Sequence, residues 1–285
     1  MFPVLIEHGK YHLFSFAFMY NVTIAICAIG FSLEMERLKW PALPVPIILR
    51  WLPRSVRDSI WFSGAWIAIS FMLIGLGGAH LLFALSTSII DGWGMGLSLN
   101  GWIFLIASNL NSSMWFGGFL AGVGYAYYLA RRNKFPFLQL LDTVVLLSLI
   151  GQIPGRMGCF LAGCCFGKPT DLPWGIALDS PLSLLQYRAG THLHPSQLYE
   201  IIVALMLSIY IWRKRTSNAY DGLTTIRYFV LGGIARFFTE FVRADTPRGV
   251  IWPWLSVSQA VGLSLAALGI ILHYLKTRQI RRKSL

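Results

Sequence analysis

The chain has 285 residues, of which 55% are apolar and only 13% charged, about half the roughly 25% expected of a soluble domain. That balance excludes an ordinary water-soluble enzyme. The 24 Lys and Arg against 12 Asp and Glu give a formal charge of +12. Such a surplus suits nucleic acid, but 19 Phe, 11 Trp and 11 Tyr with a mean hydropathy of +0.59 suit lipid, so a membrane is the expected partner and nucleic acid is not.

A bilayer core of about 30 Å takes roughly 20 apolar residues in a helix, because backbone groups in hydrocarbon must be bonded within the segment. In chain order, the apolar stretches predict spans near 11–33, 60–88, 113–130, 136–152, 197–212, 226–242 and 254–275. A further stretch at 101–110 reads as re-entrant or interfacial. The first stretch is too long and too weakly flanked by positive charge for a cleaved signal peptide. The expected fold is all-α and polytopic: about seven transmembrane helices in a single integral membrane domain over 1–285, with an outward-facing loop region at about 154–196. No internal repeat, low-complexity tract or separate soluble domain is evident.

Short cytoplasmic loops keep Lys and Arg, whereas translocated ones lose them. Alternate loops hold Arg37, Lys39, Arg50, Arg54 and Arg57, then Arg131, Arg132 and Lys134, then Arg213, Lys214, Arg215 and Arg227, then Lys276, Arg278, Arg281, Arg282 and Lys283, which is 17 of the 24. The opposite set has Lys10, Arg156, Lys168, Arg188, Arg236, Arg243 and Arg248. The amino terminus is therefore expected to face outward. The tail RQIRRKSL reads as a retained cytoplasmic anchor.

Unusual chemistry gathers on the outward side, where GRMGCFLAGCCFG, LPWG and HLHPSQLYE follow one another. The glycines and Pro154 alone would make a turn-rich re-entrant loop; Arg156 within it changes the reading. A guanidinium near membrane depth is costly unless a carboxylate, a carbonyl or an anionic ligand satisfies its donors, so a phosphate-bearing lipid is a natural partner. In ARFFTEFVR, Arg236, Glu240 and Arg243 fall at i, i+4 and i+7 on one helical face, either an intrahelical pair or the lining of a substrate path. Gly117, Gly118, Gly122 and Gly124 admit close backbone approach, for which helix packing is a sufficient reason. Cys159, Cys164 and Cys165 lie outward and Cys27 within a span. The three read as packed thiols, a disulfide or, with His192 or His194, a metal set, although CxxxxCC lacks the paired CxxC spacing of a zinc ribbon. His194 either accepts a proton or, with Pro195 and Glu200, fixes the start of a helix. Trp174, Trp252 and Trp254 read as interface markers.

Taken in order, GRMGCFLAGCCFG at 155–167, HPSQLYE at 194–200, ARFFTEFVR at 235–243 and LSVSQ at 255–259, with GGFLAG from Gly117, resemble prolipoprotein diacylglyceryl transferases. The resemblance covers roughly residues 113–262. It implies a polytopic protein of the bacterial inner membrane that transfers the diacylglyceryl group of phosphatidylglycerol to the lipobox cysteine thiol of a lipoprotein precursor, forming a thioether. It further implies that Arg156 and Arg236 bind the phosphate and that Glu240 orients Arg236, with His194 as an alternative proton acceptor. Gly117, Gly118, Gly155, Gly158, Cys159, Gly167, Ser196, Gln197 and Glu200 would line the substrate, Gly167 by letting lipid reach the backbone. No metal and no cofactor is implied. The chain departs from the family pattern at Cys159, Cys164, Phe116, Phe16 and Gly232, where Asn, Glu, His, Tyr and Tyr are usual. Those departures keep a second reading open, a catalytically silent membrane paralogue that binds anionic lipid or lipoprotein. A transporter using Arg236 and Glu240 is a weaker third, since no inverted repeat is seen.

Overall fold

A computed structural model describes residues 4–8, 11–43, 53–92, 101, 115–177, 181–184, 186–244, 250–252 and 255–283. Seven long helices run through them: α1 Ser15–Leu38, α2 Ile60–Gly92, α3 Trp115–Asn133, α4 Phe137–Ala162, α5 Ser196–Lys214, α6 Leu223–Thr239 and α7 Val257–Lys283. Each answers one predicted span. Four of them, α1, α2, α4 and α7, are long and apolar enough by themselves to cross a membrane. At 17 residues, α6 is about 26 Å long, short of a 30 Å core. The predicted stretch at 101–110 lies outside the described residues apart from Gly101.

Three boundaries move, each for a physical reason. Tyr11–Phe14 is not helix but pairs with Val4–His8 in an antiparallel ribbon. The helix α7 continues past residue 275 to Lys283, because Lys, Arg and Gln are good helix formers even where hydropathy falls. Most consequentially, α4 does not end at residue 152 but carries Pro154, Gly155, Arg156, Gly158 and Cys159 within it and stops at Ala162. The Gly-Arg segment is thus a helix end and not a re-entrant loop. Its stop is a Schellman turn: Gly163 takes φ +68°, its N–H bonds Phe160 O at 3.1 Å, and Cys164 N–H bonds Cys159 O at 3.1 Å.

Two other helices stop in the same way but with lysine in the left-handed position, Lys39 at φ 53° and Lys134 at φ 58°. The penalty for a side chain there is roughly 1 kcal/mol. Trp40 and Phe135, the residues that follow, are buried and stack on each other at 4.7 Å between centroids.

The described residues form two compact units, 28–141 and 1–27 with 142–285. In the first, α2 and α3 meet backbone to backbone. A side-chain carbon on Gly117 would stand 2.1 Å from Gly78 O, and one on Gly118 would stand 3.0 Å from Gly75 O. The sequence motif around Gly117 and Gly118 therefore serves helix packing, as the small-residue pattern allows.

In the second unit, α6 and α7 are drawn together by Gly233 and Gly262. A carbon on Gly233 would stand 2.3 Å from Gly262 O. Gly233→Leu is expected to force these helices apart at a cost of roughly 3 kcal/mol, measured as lowered thermal stability in detergent. A buried polar clamp ties α4 to α6: Asp142 Oδ1 accepts from Thr225 N at 2.8 Å and Thr225 Oγ1 at 2.7 Å, and Oδ2 accepts from Gly222 N at 2.8 Å. It satisfies N–H groups at the start of α6 that have no partner in the helix itself. The outer faces carry Leu73, Leu120, Met206, Phe238 and Ile270, each more than half exposed. Such side chains need no protein partner against acyl chains. Three two-stranded antiparallel ribbons, Val4–His8 with Tyr11–Phe14, Ile176–Ala177 with His192–Leu193, and Val250–Trp252 with Leu255–Ser256, add to the all-helical plan.

Candidate active site

Five charged side chains from the second unit converge. Glu200, in the second turn of α5, has a side chain only 6% exposed and is the hub. Its Oε2 faces Arg156 Nε, and its Oε1 is shared by Arg243 Nη1 and, at 3.3 Å, Arg236 Nη1. Arg236 Nη2 pairs with Glu240 Oε2 at 2.5 Å. Ser256 Oγ donates to Glu240 Oε1 at 3.2 Å. Three guanidiniums therefore stand against two carboxylates in a largely dehydrated place, an arrangement that holds only while each charge is paired. Arg156 differs from the other two. Among the described residues, its terminal Nη groups have no hydrogen-bond partner, and its side chain keeps 21% exposure.

The motifs that carry these residues also build their supports. At the start of α5, Ser196 Oγ donates to Cys165 O at 2.7 Å and Gln197 Nε2 to Cys164 O at 2.6 Å. The two side chains expected to line substrate thus hold the turn that follows α4. Segment 166–168 is then bonded on both sides: Gly167 N to His194 O at 2.9 Å, His194 N to Lys168 O at 3.0 Å, and Lys168 N to Val242 O at 2.8 Å. These bonds fix Arg243. A side-chain carbon on Gly167 would lie 2.5 Å from both His194 Cβ and Val242 O. These protein atoms alone require a glycine here. Gly167→Ala is expected to open this bridge and to lower both stability and any activity that needs Arg243, with the melting temperature in detergent as the readout.

The expected single face of Arg236, Glu240 and Arg243 is also corrected. Helix α6 ends at Thr239, a 3-10 turn covers Glu240–Val242, and Arg243 is extended at φ −79°, ψ 145°. Arg243 reaches Glu200 from the bridge to Gly167, while the Arg236–Glu240 pair survives. Gly155 has open space where a side chain would stand, whereas Gly158 is buried. His194 Nδ1 lies 3.1 Å from Tyr199 OH, which in turn accepts from Trp174 Nε1 at 2.8 Å. The side chains of Trp252 and Trp254 lie outside the described residues.

Sequence reasoning missed Ser256 as a member of this group, and it grouped Arg243 with Arg236 by a helical face that the two do not share. Ser256 had a signal: with Gln259 it forms a capping box at the start of α7, Gln259 N donating to Ser256 Oγ at 3.1 Å and Ser256 N to Gln259 Oε1 at 3.0 Å. Cys159, Cys164 and Cys165 bring their sulfurs within 4.8 Å of one another. Hydrogen bonding from the Cys159 and Cys164 thiols, and then the Arg156 and Arg243 charges, holds the Cys165 thiol well below its ordinary range.

Fold and site together define a polytopic helical membrane protein with a buried, carboxylate-held arginine cluster suited to an anion. The chain belongs to the prolipoprotein diacylglyceryl transferase family, whose model matches residues 3–275. Curated relatives agree. A protein of Clostridium tetani is 35% identical over 162 residues, 56% of this chain and 62% of its own length. One of Finegoldia magna is 32% identical over 168 residues, 58% of this chain and 62% of its own. One of Pseudomonas syringae pv. syringae is 30% identical over 236 residues, 79% and 78%. All three are named phosphatidylglycerol–prolipoprotein diacylglyceryl transferase. The chain thus spans 62% of the length of the first two.

Proposed function

We propose that this protein, set in the bacterial inner membrane with its amino terminus outward and its carboxyl tail cytoplasmic, transfers the diacylglyceryl group of phosphatidylglycerol to the lipobox cysteine thiol of a lipoprotein precursor. The substrate thiolate attacks the glyceryl carbon, a C–S bond forms, the C–O bond to the phosphate breaks, and its electron pair leaves with glycerol phosphate. The observation that carries this reading is the pair of Arg156 Nη groups without hydrogen-bond partners among the described residues, held in place by the Nε contact to Glu200. A guanidinium fixed at one edge and open at the other is a fork for two phosphate oxygens. Arg236, fixed by Glu200 and Glu240, adds positive charge where negative charge grows on the leaving group. His194 takes the thiol proton at Nε2, which requires the tautomer that directs Nδ1–H to Tyr199.

The test is complementation. A bacterial host depleted of its own transferase and supplied with this chain is expected to regain a reporter precursor heavier by one diacylglyceryl group. Well-inserted protein with an unmodified reporter would reject transfer and leave the silent, lipid-binding reading.

A further inference from the structure

We propose that Cys159, Cys164 and Cys165 form a three-thiolate site for a thiophilic cation of the zinc class, with a fourth coordination position open. The sequence spacing argues against a zinc ribbon, but the fold supplies what the spacing does not. Cys159 lies in the last turn of α4, and the Schellman stop at Gly163 folds the chain back so that Cys164 and Cys165 return to it. All three Sγ atoms lie within 4.8 Å of one another. Zinc–sulfur bonds of about 2.3 Å set three ligand sulfurs about 3.8 Å apart on a tetrahedron, so side-chain shifts of about 1 Å close the cluster.

A second observation is independent of the sulfurs. Cys165 takes φ 61°, a left-handed backbone that costs a side chain roughly 1 kcal/mol. That conformation is held from outside, by Ser196 Oγ on Cys165 O and Gln197 Nε2 on Cys164 O. Strain maintained by neighbouring groups is characteristic of functional positions.

Among the described residues the group of possible ligands within 4.8 Å of one another is these three cysteines, without His192 or His194, so the ligands are sulfur only. Thiolate ligands select zinc and similar soft ions over magnesium or calcium.

The protein purified in detergent under reducing conditions is to be titrated with Zn2+ against a chromophoric chelator, with zinc X-ray absorption on the loaded protein. One equivalent bound with a Kd below about 1 μM is expected, with sulfur scatterers at about 2.3 Å. Cys165→Ser and Cys164→Ser should each weaken binding at least 100-fold, and Cys27→Ala should not. Absence of binding by the reduced protein, binding unchanged in both serine variants, or a disulfide within the triad that persists in protein prepared under reducing conditions would overturn the proposal. None of these readouts depends on lipid transfer, so the site stands or falls apart from the proposed activity.

Discussion

Glu200→Gln is expected to abolish lipid transfer and to lower stability more than any other single change in the cluster. Glu200 is the one carboxylate that all three guanidiniums touch, and its side chain is 6% exposed. Removing one partner of a buried ion pair leaves uncompensated charge and costs about 3–5 kcal/mol. Here three cations lose it at once, and the geometry that holds Arg156 open on one edge is lost with them. Activity should fall at least 100-fold in the complementation assay, and the melting temperature in detergent should drop. Glu240→Gln is the internal comparison. It frees one arginine that still has Glu200, so the stability loss should be clearly smaller. Equal losses from the two variants would show that Glu200 is not the hub.

The helices were legible as runs of apolar residues, and in α1, α2, α4 and α7 the run is long enough to cross a bilayer, a local property of the sequence. The end of α4 was not. Gly155, Gly158 and Pro154 are turn signals by composition, and only the helical hydrogen bonds around them and the Schellman stop at Gly163 reverse that reading. Arg156, Arg236 and Glu240 were recognisable because ionisable groups at membrane depth require an explanation. Glu200 as a hub was not, since its partners lie 36 and 43 residues away on α6 and just beyond it, and no spacing rule reaches that far. The part Ser196 and Gln197 play in holding the chain was not legible either. Their donors are spent on Cys165 and Cys164 carbonyls, a contact set by how the chain returns after α4. Ser256 and Gln259 show the reverse case, a capping box readable from S-x-x-Q alone whose serine also contacts Glu240.

Arg156→Ala and Arg156→Lys separate the two uses of the Arg156 side chain. Arginine meets Glu200 through Nε and keeps two Nη groups in a rigid plane for an anion. Alanine removes both functions and should lower kcat/KM for phosphatidylglycerol by about 100- to 1,000-fold or more, the scale seen when one preorganised donor to a developing charge is lost. Lysine keeps the charge but has a single nitrogen on a flexible stem, so it must choose between Glu200 and the phosphate. A substantial part of the alanine defect should therefore persist in Arg156→Lys, with membrane insertion unchanged in both variants. Arg236→Ala should also abolish transfer, but Glu240 would lose its guanidinium partner there, so part of that defect should appear as lost stability. If Arg156→Lys instead matches the parent, charge alone suffices and the fork geometry has no role. If Arg156→Ala also matches it, the phosphate is bound elsewhere.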